Sequence, residues 1–255
     1  MSIDEVFPNP TVQRVIFQIN FPNLFYIENK IGDLQMRIMK EFPESSLLFR
    51  RQIVFADMGP DTILDSVVEP DKEMSKKIWQ FRSKKKYLLN VLSNSLDITS
   101  EYHKTYNLGA GDKFRDIIQF VCDNFLDVTS VSVLNRIGLR YIDECPLPSK
   151  DNAAFAEYYN SVFPIERFNL AFADEMDFKT VVKRGDYHLR YIESLKKKDD
   201  EYKLILDFDG FAKDVDPKDY LNVTDILHTI ISGEYEATIK GPVYEYMRQN
   251  KQELK

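Results

Sequence analysis

Two arginines flank a glycine in Arg136-Ile137-Gly138-Leu139-Arg140-Tyr141-Ile142-Asp143, and this string is the chain's best candidate for specific chemistry. In a strand, alternation sends Arg136, Gly138, Arg140 and Ile142 to one face and Ile137, Leu139 and Tyr141 to the other. Gly138 has no side chain, so another backbone or a ligand can come close. Guanidinium forks on either side suit a carboxylate or a phosphate. Arg136, Gly138 and Arg140 are therefore the candidate ligand-binding residues. The competing reading pairs the arginines with Asp207 and Asp209, which share a face of a later strand.

Other motifs carry less. Asp207-Phe208-Asp209-Gly210 matches the DxDG signature of haloacid-dehalogenase-type phosphotransferases. Those enzymes place it on the first strand and need about a hundred following residues for their remaining groups, whereas this copy stands near the end of the 255 residues. It is rejected as a catalytic motif. Gly109-Ala110-Gly111-Asp112 lacks both the third glycine of a dinucleotide loop and the Lys-Ser/Thr of a P-loop, so it reads as helix punctuation with Asp112 as the cap. His103, His188 and His228 have no metal-ligand spacing. No serine sits in a Gly-x-Ser-x-Gly elbow. No catalytic residue, metal ligand or cofactor is expected. Among the tyrosines, Tyr158, Tyr159, Tyr244 and Tyr246 are candidates for a protein-interaction surface, because a tyrosine ring offers area and its hydroxyl finds a partner.

The elements that must hold these residues recur in one order. The first half reads as a strand at 15–21, a helix at 27–42 stopped by Pro43, strands at 52–55, 77–82 and 87–92, and a helix at 112–126. The second half reads as a strand at 133–142, a helix at 152–163 ending at Pro164, strands at 178–182, 187–192 and 202–208, and a helix at 223–235. Lys84-Lys85-Lys86 is echoed by Lys196-Lys197-Lys198, both read as hairpin turns. Arg115-Asp116-Ile117-Ile118 is echoed by Thr224-Asp225-Ile226-Leu227. The expected fold is α+β: a tandem duplication of a β-α-β-β-β-α unit of helix-grip or TBP-like type, whose antiparallel sheets form a cradle with helices on one face. The repeats are placed at 1–128 and 129–255, packed as one pseudo-symmetric unit.

Composition limits the partners. Forty-one acidic against 34 basic residues give a net charge of −7. Both halves are net acidic, which disfavours broad adhesion to nucleic acid, whose affinity comes from phosphate neutralisation. Cys122 and Cys145 form no CxxC pair, so a disulfide scaffold or zinc ribbon is not expected. No apolar run approaches the roughly 20 residues of a membrane span, and the acidic start is unlike a signal peptide. A cytoplasmic location is expected.

Phe21-Pro22, the Trp79-Gln80-Phe81 strand, the Arg136-to-Asp143 string, Leu206-Asp207-Phe208-Asp209 and Leu227-His228 together resemble a sporadically distributed, laterally transferred and mostly uncharacterised prokaryotic family of about this length. The resemblance implies a bacterial or archaeal source and a mobile-element context beside defence or toxin–antitoxin genes. It brings no catalytic residues. The resulting expectation is a non-enzymatic recognition protein with a protein partner encoded nearby. The alternative is a sensor or enzyme acting on an anionic small molecule such as a nucleotide, gripped by Arg136 and Arg140.

Overall fold

The computed structural model describes residues 5–50, 76–101, 105–147, 149–198 and 201–249. Over these the chain is α+β, with a nine-stranded antiparallel sheet and five helices. The strands are β1 (Val12–Asn20), β2 (Glu44–Arg50), β3 (Lys76–Arg82), β4 (Tyr87–Val91), β5 (Ser95–Ser100), β6 (Leu134–Cys145), β7 (Met176–Arg184), β8 (Tyr187–Lys198) and β9 (Glu201–Val215). Their order across the sheet is β2-β3-β4-β5-β1-β6-β9-β8-β7. β1 and β6 pair at the centre, Phe17 against Leu139 and Gln18 against Gly138, so one sheet runs unbroken across position 128. On either side of that pair the last strand of the half lies innermost and the others follow outward in reverse sequence order.

Alternation decides which face is covered. Phe17, Ile19, Leu89, Ile98, Ile137, Leu139, Leu204, Leu206 and Phe208 all point to one side and are fully buried. Onto this side pack α1 (Ile27–Ile38), α2 (Phe114–Thr129) and α4 (Tyr220–Thr238). α1 turns Ile27, Ile31, Leu34 and Ile38 inward at three- and four-residue spacing. α2 does the same with Ile118, Val121, Cys122 and Phe125, and the Phe125 ring lies 5.1 Å from that of Phe21. Each such side chain contributes about 1.5–3 kcal/mol when removed from water. α4 crosses β9 closely because Gly210 has no side chain: a Cβ there would stand 3.3 Å from Ile231 Cδ1. α3 (Asn152–Tyr158) and α5 (Gly241–Arg248) pack against each other at the margin. No helix among the described residues is long and apolar enough to cross a membrane.

Several expectations shift. α3 stops at Tyr158 rather than 163, because Tyr159 turns extended and bridges Ile239. β2, β5 and α5 were not anticipated, and the expected strand at 52–55 lies outside the described residues. Lys84–Lys86 do form the β3–β4 turn, with Lys86 at φ 65°. Lys196–Lys198 do not form a turn, since β8 and β9 stay paired out to Lys198 opposite Glu201. Asp112 is not the cap of α2. Its carboxylate accepts from Lys85 Nζ at 2.8 Å, and the first helical N–H groups, those of Phe114 and Arg115, donate instead to the carbonyls of Thr105 and Tyr106.

Candidate functional site

Among the described residues α1, α2 and α4 lie on one face of the sheet, and the centre of the opposite face carries the arginines singled out by spacing. Arg140 forms a fork with Asp207 across the β6–β9 pair, Nε to Oδ1 at 2.8 Å and Nη2 to Oδ2 at 2.5 Å. Arg136 Nη2 donates to Asp209 Oδ1 at 2.7 Å, and Arg190 of β8 lies 3.4 Å from the other oxygen of Asp209. The two aspartates are only 8% and 5% exposed, because the guanidinium groups lie over them. Arg140 is held above the usual guanidinium range, chiefly by its hydrogen bond to Asp207.

Gly138 has a specific use. A Cβ at this position would meet Arg136 Nη1 at 2.4 Å, so the glycine makes room for the folded-back guanidinium of its own neighbour. That guanidinium also sits 5.0 Å from the centroid of Phe211, whose other ring contact is His188, stacked at 5.0 Å. Polar side chains continue the lattice toward the first half. Arg136 Nη1 reaches Gln18 Oε1 at 3.4 Å, and Gln80 donates to Asn90, which donates to Asp97. Desolvation raises the Asp97 carboxyl, against the lowering by Asn90. Within the buried polar layer, Asn20 Oδ1, His188 Nδ1 and Arg190 Nε have no hydrogen-bond partner among the described residues.

The other candidates fall elsewhere. Tyr159 is 2% exposed, with its hydroxyl donating to the Pro146 carbonyl and its ring against Phe155, so it anchors α3 and offers no surface. Tyr158, Tyr244 and Tyr246 are half-buried against the core, Tyr244 beside Phe7. His103 lies outside the described residues. Among the described residues no cluster of three or more His, Cys, Asp or Glu side chains is placed to hold a metal ion.

Asp143 went unnoticed in the sequence, although its alternation already puts it with Ile137, Leu139 and Tyr141 on the buried face. It lines a cleft of about 130 Å³ beneath α4, together with Thr11, Tyr106, Phe208, His228 and Tyr235. Thr11 Oγ1 donates to Asp143 Oδ1 at 2.7 Å and lies 2.6 Å from the Tyr235 hydroxyl. Burial pushes the Asp143 carboxyl up to about 7, with Thr11 opposing and the charge of Asp207 adding. Burial also holds His228 down to about 4, so it is neutral at pH 7, stacked 4.1 Å from Tyr106. Across the helices, Arg115 grips Asp225 through two 2.8 Å hydrogen bonds, and Tyr106 adds a third.

Comparison with family models, with curated proteins and with solved structures returned no match.

Proposed function

We propose that the chain is a non-enzymatic recognition protein and that the sheet face opposite α1, α2 and α4 is where it seats a protein partner. The observation that carries this reading is the Arg136, Arg140, Arg190, Asp207 and Asp209 lattice at the centre of that face. Its charged groups hold one another in place before any partner arrives, so little side-chain entropy is lost on binding. Mixed signs in fixed positions favour one partner over others more than they add raw affinity. A small anion at Arg136 and Arg140 is the weaker reading, since phosphate would have to displace Asp207 from a two-point pairing and would find the space over Gly138 filled by Arg136.

The matching outward strand order on either side of β1 and β6 supports a tandem duplication with repeats at 1–128 and 129–255, in the helix-grip or TBP-like manner. The proposed partner, on the resemblance read in the sequence, belongs to a prokaryotic defence or toxin–antitoxin-like system and is encoded beside this gene. Co-expression with the neighbouring gene product tests the reading. The expected result is co-purification that survives Lys30→Glu on α1 and is lost with Arg14→Glu and Lys179→Glu, exposed positions on the open face. Loss with Lys30→Glu alone, or a chain that stays solitary, argues against it.

A further inference from the structure

The cleft beneath α4 lies on the other side of the sheet from the recognition face and stands independently of that reading. We propose that it binds a small organic cation, an alkyl- or arylammonium. Rings line it, those of Phe7, Tyr106, Tyr141, Phe208, His228 and Tyr235, and a Phe or Tyr ring attracts a cation over its face. Among the described residues Asp143 is the one carboxyl in the lining, and no lysine or arginine accompanies it there. The Arg115 guanidinium, which shares Asp225 with the cleft residue Tyr106, is committed to that carboxylate.

The carboxyl is also short of donors. An ionised carboxylate has about four lone-pair positions, and the hydrogen bond to Asp143 among the described residues is the one from Thr11. An ammonium group supplies up to three N–H donors and the opposite charge at that point. The volume of about 130 Å³ is close to the roughly 150 Å³ of a cavity that holds benzene, so the occupant is of that order of size.

The ionisable groups facing Asp143 do not compete for this role. Tyr106, Tyr141 and Tyr235 are raised by burial and stay protonated, Cys145 on the same strand is raised likewise, and His228 is neutral above about 4. Asp207 adds like charge through the sheet and raises Asp143, so cation binding at neutral pH releases a proton from it.

Calorimetric titration of the full chain with n-butylammonium and benzylammonium, against n-butanol and benzyl alcohol as neutral isosteres, tests the assignment. Both ammonium probes are expected to bind saturably, at least tenfold more tightly than the alcohols at pH 8. Binding should weaken about tenfold between pH 8 and pH 6, the change in the ionised fraction of an acid titrating near 7. Asp143→Asn should abolish the preference for the cation. Tyr106→Leu, which keeps the carboxyl, should weaken both ammonium ions more than the alcohols. Equal affinity for the alcohols, a flat pH profile, or no saturable binding of any probe overturns the proposal. The comparison of ammonium with alcohol in the unmodified protein stands even where a variant fails to fold.

Discussion

Substituting Gly138 by alanine tests the geometry at the centre of the open face. The added methyl would stand 2.4 Å from Arg136 Nη1 and 2.9 Å from Cζ, so the guanidinium must shift out of its present position. With it go the 2.7 Å hydrogen bond to Asp209 and the contact with Phe211. A hydrogen bond to a charged group contributes about 1.5–3 kcal/mol, and the low end applies because the Arg136 side chain is 24% exposed. The cation–ring contact adds about 0.5–1 kcal/mol. Alanine returns about 0.5–1 kcal/mol over glycine within a strand. The net loss is about 1–2 kcal/mol, read as a lower urea midpoint at unchanged slope. The cause is separated from simple crowding by a double-mutant cycle. Once Arg136→Ala has removed the guanidinium, Gly138→Ala should cost nothing further and give back the backbone gain. Costs that add to within about 0.5 kcal/mol would show that Gly138 does not serve the Arg136 guanidinium.

The remaining predictions concern the covered side. Asp143 has a folded pKa near 7, above its unfolded value of about 3.9, so the folded state binds the extra proton in that interval and stability falls as pH rises from about 4 to 7. Asp143→Asn should remove this fall, on the order of a few kcal/mol, seen as the difference between wild-type and variant urea stabilities across pH; parallel profiles would contradict it. A cycle on Arg115→Ala and Asp225→Ala should give a coupling of about 0.5–1.5 kcal/mol, given a half-exposed but two-point pairing, and a value near zero would mean that α2 and α4 do not depend on it. Gly210→Val should destabilise by about 1–3 kcal/mol, because its methyl groups have no room beneath Ile231 and Leu227; a neutral effect in thermal denaturation would show that α4 can lift.

Period-two alternation in the Arg136 string was enough to place both arginines on one face and the apolar residues on the other, and the Asp207 and Asp209 pairing was visible as one of two options. Helix periodicity located α1, α2 and α4. What alternation could not supply was register. That Arg140 meets Asp209 across the sheet yet pairs with Asp207, and that Gly138 serves Arg136, depends on which residues face one another across β6 and β9. β5 was missed because Ser95, Asp97 and Thr99 weaken the apolar signal of a strand whose Leu96 and Ile98 are fully buried. The cleft was missed because its members come from the N-terminal segment, the loop after β5, β6, β9, α4 and α5, which only the folded chain brings together.

The open sheet face as a recognition surface is the central claim, and hydroxyl-radical footprinting of the complex with the co-expressed neighbouring gene product tests it most directly. Ile16, Leu88, Ile142 and Ile192 lie half-buried on that face, while Met36 and Met39 are exposed at α1. The partner is expected to shield the four open-face side chains and to leave oxidation of the two methionines unchanged. Protection confined to Met36 and Met39 would contradict it.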